Sequence, residues 1–185
     1  MPGATTPPPP PAPGPEAPAG YQQPAPSAYA GQELASWGSR VGATLLDGLV
    51  ILAAAIVLLV PGGILTGVTD GGAIGIILLV LGGLAYIVVA FLYASYFMQR
   101  QGEGNGQTLG KQWLNIRVVQ DTGQPFGWGS ALVREVAVKQ LLFQWVGSFF
   151  LYIPPLLDVL WPLWDDQNRA LHDMIVSTHV VKTGT

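Results

Sequence analysis

The chain has 185 residues, half of them hydrophobic and a tenth charged, with 8 Lys and Arg against 11 Asp and Glu for a formal charge of −3. Soluble domains carry about a quarter charged residues, so this composition, with a mean hydropathy of +0.41, excludes an ordinary soluble domain and points to an integral membrane protein. With no cysteine in the chain, disulfides, thiolate chemistry and Cys-ligated metal centres are excluded as well.

Residues 1–33 form a low-complexity head that holds eleven of the sixteen prolines. Such a segment buries no core and is expected to be a disordered, polyproline-like tail, either a spacer or a docking segment for protein partners. It lacks the basic start and apolar run of a signal peptide. Trp37 then serves as an interfacial anchor for the first span. Residues 41–60 follow Arg40 and carry a single charge, Asp47. About 20 apolar residues cross the hydrocarbon core as a helix. Arg40 and Asp47 lie seven residues apart, so a helix puts them on one face, about 10 Å apart along its axis. Pro61-Gly62-Gly63 is expected to end this helix and open a loop to residue 73.

Residues 74–98 make a second, charge-free span with a small-residue face at Gly82, Gly83 and Ala85. The polar loop of residues 99–130 carries Arg100, Lys111 and Arg117, whereas the 61–73 loop carries no Lys or Arg. By the positive-inside rule the first of these loops and the N-terminus lie in the cytoplasm. Residues 115–120 (NIRVVQ) read as a strand followed by a turn at Asp121-Thr122-Gly123. Ser130 is placed to cap a helix running to about residue 145, with Glu135 and Lys139 as an i,i+4 pair.

Residues 141–164 are a third hydrophobic region, broken by Gly147-Ser148 and Pro154-Pro155 and containing Asp158. It is either one kinked crossing or a short helical hairpin. Asp165 to Asp173 form a polar turn opening a short helix, with Arg169 between two acids, and residues 177–182 (STHVVK) read as a second strand. Each strand is too short to stand alone. If the two pair, both termini lie on the cytoplasmic side. The expected fold class is therefore an all-α polytopic membrane protein. It has two full transmembrane helices, a Pro-broken third hydrophobic region and a short cytoplasmic two-stranded element. One domain spans 34–182 behind the 1–33 tail.

Certain blocks together resemble the RDD family of bacterial membrane proteins, named for one arginine and two aspartates. They are Trp37, Arg40, Ala43 and Asp47, then Gly106-Gln107-Thr108-Leu109-Gly110-Lys111, then Arg117-Val118-Val119 with Asp121, Gly123 and Pro125. Further on come Ala131-Leu132-Val133-Arg134-Glu135, then Leu163-Trp164-Asp165, Arg169, Leu171-His172-Asp173, Thr178 and Val180-Val181. A proline-rich head before such a domain is similar to the proline-rich antigens of mycobacteria and their actinobacterial relatives. The resemblance implies a multi-pass protein of the bacterial cell membrane, with transport, including cation/proton exchange, as the usual suggestion of its role. Arg40 and Asp47 carry over directly. The second family aspartate is Asp173 by preference, with Asp165 and Asp158 as alternatives.

An ionisable group inside a membrane costs at least about 2.5 kcal/mol unless paired or wetted. Asp47 is therefore either an ion site or a structural group paired with Arg40, Arg134 or Lys139, or capping a backbone break. Asp47 with Asp158 is the sharpest carboxylate-pair hypothesis. Arg134, Lys139, Arg169 and His172 are supporting groups. The spacing of Asp165, Asp166, His172, Asp173 and His179 matches no closed metal motif. Residues 106–111 are no phosphate loop, because Asn105 and Gln112 stand where that pattern needs Gly and Ser or Thr. No nucleophile motif and no basic-aromatic nucleic-acid patch is present, so neither an enzyme nor a nucleic-acid binder is expected, and no cofactor. Two readings remain: a small transport or ion-exchange module, favoured if a homo-oligomer builds a central path, and a membrane scaffold that binds protein partners through its helices and tail.

Overall fold

Long runs of apolar residues favour the helix, which satisfies its own backbone polar groups without water. Two such runs form α1, Trp37–Val68, and α2, Ala73–Met98. The computed structural model describes residues 31–184, so the proline-rich head up to residue 30 lies outside the described residues. Ser36 caps α1, its Oγ accepting the N–H of Ser39 at 3.2 Å. The expected stop at Pro61 is overturned: α1 continues through it to Val68, and the connection shrinks to residues 69–72. Proline removes one helical hydrogen bond, but Gly62 directly after it packs on the backbone of α2. A Cβ at Gly62 would lie 2.7 Å from the Leu79 nitrogen. That tertiary contact holds the segment helical.

The same close approach recurs along the pair. A Cβ would lie 2.5 Å from the Thr66 nitrogen at Gly75 and 2.1 Å from the Leu58 oxygen at Gly82. Gly83, the neighbour expected to share this face, looks outward with nothing within 4 Å. Away from this seam the helices show large apolar side chains, such as Val57 at 71% and Ile74 at 68% exposure.

The buried core sits at one end of the pair. Strands β1, Ile116–Gln120, and β2, Thr178–Lys182, pair antiparallel with Val118 opposite Val180. The lead-in to α1 joins them: Leu34 bridges Val181, the Ala35 N–H donates to the Val180 oxygen at 2.9 Å, and the Lys182 N–H donates to the Glu33 oxygen at 2.8 Å. Both described ends of the chain therefore lie together. Ala35, Ala43, Met98, Ile116, Val118, Phe126, Ala131 and Val180 pack beneath this sheet.

Between the strands come α3, Leu109–Trp113, and α4, Trp128–Leu132. The cap of α4 is Gly127 rather than Ser130, whose Oγ accepts the Gly127 N–H at 3.1 Å from inside the first turn. The helix continues as a π-helix, Val133–Val146. The chain then reverses over residues 147–152, with Leu151 and Tyr152 both left-handed (φ 54° and 59°). It returns as α5, Ile153–Leu160, and a 3₁₀ turn, Trp161–Leu163. Of the two forms expected for this region, the hairpin is the one observed. A Cβ at Gly147 would lie 2.7 Å from Pro155 Cδ, so its two arms meet. The tandem prolines do not make the break. They start α5, where the missing N–H groups have no helical partner to lose. A short α6, Leu171–Ile175, leads into β2.

The seam between α1 and α2 makes a direct prediction. Gly82→Leu forces a side chain into the Leu58 carbonyl and should cost about 1–3 kcal/mol, read as a lower Tm in detergent. Gly83→Leu, one residue on, should leave the Tm unchanged.

Candidate functional site

Asp47 lies three turns into α1 and is half-buried. Its Oδ2 accepts the Thr108 hydroxyl at 2.6 Å, and its Oδ1 accepts the Tyr93 hydroxyl and the Gly110 N–H, each at 2.8 Å. The loop that brings two of these donors is folded by its own residues. Gly106 is left-handed (φ 74°), and a Cβ there would meet the Val118 oxygen at 2.1 Å. The Gln107 amide donates to the Ile116 oxygen at 2.9 Å, and Thr108 caps α3. Gly110 is needed because a Cβ would meet the Ala43 oxygen at 2.2 Å. The Gly106–Lys111 stretch is thus a clamp on the α1 carboxylate.

Arg40 does not answer Asp47. Side chains on a helix lean toward its N-terminus, and the Arg40 guanidinium reaches away from Asp47 to Asp173 and to the Asn168 carbonyl. Arg134 and Lys139 do not bond Asp47 either; they belong to a second cluster. Asp173, with no exposed side-chain surface, caps the start of α6 by accepting the Ala170 N–H at 3.1 Å, and also pairs with Arg40 and Arg134. Arg134, 2% exposed, bonds Glu135 as well, and Glu135 lies 3.6 Å from Lys139. His172 extends the chain. Its Nδ1 lies 2.7 Å from Asp158 Oδ2, its backbone N–H donates to Asp158 Oδ1 at 2.8 Å, and its Nε2 lies 3.0 Å from Arg134. Its Nε2 also lies 3.3 Å from Asp173 Oδ1, so the imidazole sits between two carboxylates and Arg134.

The structure therefore brings Arg40, Arg134, Glu135, Lys139, Asp158, His172 and Asp173 into one network and holds Asp47 apart. Asp158 is buried against His172 and does not pair with Asp47. Asp165 takes a different role: it accepts the N–H groups of Gln167 and Arg169 and pairs with the Arg169 side chain at 3.0 Å, closing the 165–169 loop. The Arg169 bond holds the Asp165 carboxyl below its usual range. For Asp173, burial pushes the pKa up, but His172, Arg40 and Arg134 outweigh it and hold the carboxyl well below its ordinary 3.8. Among the described residues no three His, Asp or Glu side chains are placed to hold a metal ion. A cavity of about 180 Å³ opens beside the network, lined among others by Arg40, Lys111, Arg134 and Lys139.

Reading the sequence alone missed Tyr93 and Thr108 as partners of Asp47, and Lys111 as a cavity group. The signal for Thr108 and Gly110 was present in the Gly106–Lys111 block. Tyr93, in an aromatic helix end, carried none.

Residues 34–177 match the family model described as the RDD family. The proline-rich antigen homolog of Mycobacterium tuberculosis is 35% identical over 102 residues, which is 55% of this chain and 35% of that protein. The proline-rich antigen of Mycobacterium leprae is 29% identical over 102 residues, 53% of this chain and 37% of that one. An uncharacterized protein of Haemophilus influenzae is 34% identical over 106 residues, 55% and 61% of the two chains. The matched stretch thus spans little more than a third of the mycobacterial relatives. No solved structure matches the chain.

Removing one partner from a buried ion pair costs about 3–5 kcal/mol, so Asp173→Asn should lower the Tm in detergent strongly. The depressed carboxyl also sets a pH dependence: its stabilisation is complete above the unfolded pKa and is lost as the pH falls through the folded one. Wild-type Tm should therefore drop progressively below about pH 4, and the Asp173→Asn profile should start lower and fall less steeply there.

Proposed function

The chain belongs to the RDD family, and from that premise we propose that it is a multi-pass protein of the bacterial cell membrane that exchanges protons or small cations at Asp47. In this reading α1 and α2 cross the bilayer, the 133–163 hairpin enters and returns on one side, and the sheet and both described ends face the cytoplasm. Exposed apolar side chains along α1, α2 and the hairpin support the crossing segments. The 69–72 turn holds no Lys or Arg, while Arg40, Arg100, Lys111 and Arg117 lie toward the sheet end, which supports a cytoplasmic sheet. At about 1.5 Å per residue, the 32 residues of α1 exceed the roughly 30 Å hydrocarbon thickness. The first turns of α1 then stand at the cytoplasmic interface with the ionic network.

One observation carries the exchange reading. Asp47 takes its hydrogen bonds from Tyr93, Thr108 and Gly110, and no arginine or lysine among the described residues forms an ion pair with it. Asp173 and Glu135 are paired directly with arginine; among the described residues Asp47 has only the unpaired Lys111 ammonium near it, which leaves room for an exchangeable ion. Two helices and a hairpin enclose no path of their own, so a homo-oligomer supplies it. The reading assigns no catalytic residue and no cofactor.

A second reading, a scaffold or accessory subunit, has its own support. Gly63 and Gly67 lie one turn apart on α1 with nothing within 4 Å, a spacing that suits close helix association in a bilayer. Protein partners would dock there or on the proline-rich tail.

Asp47→Asn keeps the shape and removes the charge. In proteoliposomes under an imposed Na⁺ or K⁺ gradient, wild-type protein should move protons, reported by an internal pH dye, and the variant should show background flux while remaining monodisperse in detergent. Equal flux from both proteins would overturn the exchange reading and leave the scaffold.

A further inference from the structure

The lining of the cavity beside the ionic network is of two chemical kinds. One is cationic: Arg40, Lys111, Arg134 and Lys139 all line it, against one lining carboxylate, Asp158. The other is apolar, and its rim includes Leu45 at 66% and Val159 at 47% exposure. The cations are not equally engaged. Arg40 and Arg134 are bound to Asp173, and Lys139 lies beside Glu135. Lys111 makes no side-chain hydrogen bond or ion pair among the described residues, although it stands near the charges of Glu135, Lys139, Arg134 and Asp47. Burial pushes its pKa down to about 8, helped by Lys139 and Arg134 and opposed by Glu135 and Asp47. A half-buried ammonium with no side-chain partner among the described residues, in a cavity lined by three further cations, is the half-built shell of an anion site.

We propose that this cavity binds the phosphate headgroup of an acidic phospholipid, with Lys111 as its principal ligand, Lys139 as the second, and the acyl chains lying across Leu45 and Val159. The size agrees with this division. At about 180 Å³ the cavity has room for a phosphate group, while long acyl chains extend beyond it. Basic pockets at the cytoplasmic mouth of membrane helices suit such headgroups. Arg40 and Arg134 shape the field but keep their own carboxylate. The inference rests on the bilayer placement of α1 and is independent of any exchange at Asp47.

The test uses the full chain in a neutral detergent, titrated with phosphatidylglycerol, phosphatidylcholine, glycerol phosphate and inorganic phosphate, with bound molecules counted by native mass spectrometry. Phosphatidylglycerol should bind at about one per chain, and Lys111→Gln should weaken it about tenfold, while Lys182→Gln, on the far strand, changes nothing. Inorganic phosphate binding as well as the lipid would overturn the lipid as the source. Unchanged lipid affinity in Lys111→Gln would overturn the site. A second measurement needs no variant: phosphatidylglycerol, but not phosphatidylcholine, should shield Lys111 of the wild-type protein from amine acetylation while Lys182 stays reactive. Equal labelling of Lys111 in both lipids would refute the proposal even if the variant fails to fold.

Discussion

Two arginines from distant elements converge on one carboxylate, and the polar end of the molecule depends on that meeting. Arg40 opens the first long helix, Arg134 lies in the π-helix, and Asp173 stands in a helix of five residues. A helix that short has no stability of its own. It persists because Asp173 both caps it and pairs with the two guanidiniums, with Glu135 supplying a second negative charge to Arg134. Each of these charges would be costly to bury singly. Together they fasten the hairpin, the sheet and the first helix at a single point, and His172 carries the fastening on to Asp158.

The two conspicuous acids near the head of the first helix and in α6 are answered in opposite ways. Asp173 meets cations; Asp47 meets a phenol, an alcohol and an amide. The first arrangement fixes charge, the second fixes only position. That contrast separates a structural clasp from the proposed exchange site within a small domain. It also gives the Gly106–Lys111 block a physical reason: glycine at 106 and 110 is what lets a loop backbone come close enough to present its donors.

Local patterns in the sequence were reliable where local physics decides. The two apolar helices, the pairing of the 115–120 and 177–182 segments and the Asp165–Arg169 contact were all legible, because each follows from hydropathy, β-branching or spacing. What was not legible depended on packing across the chain. Pro61 reads as a stop, yet the α2 backbone against Gly62 carries the helix past it. Pro154-Pro155 reads as a break, yet the prolines begin a helix and the reversal comes earlier, at Leu151 and Tyr152. Arg40 and Asp47 share a helix face, so they read as a pair. The lean of side chains and the arrival of Asp173 from the far end of the chain part them. Neutral partners such as Tyr93 leave no charge pattern to follow.

The strand that closes the sheet comes from the end of the described chain, and it takes its hydrogen bonds from residues 33–35 as well as from β1. Just before it lies Asp173. During synthesis, then, Arg40 and Arg134 both emerge before their shared counterion exists. The polar end can lock only after the segment that carries Asp173 and β2 has been made, so its assembly is a zipper closed by a segment that follows both arginines in the chain.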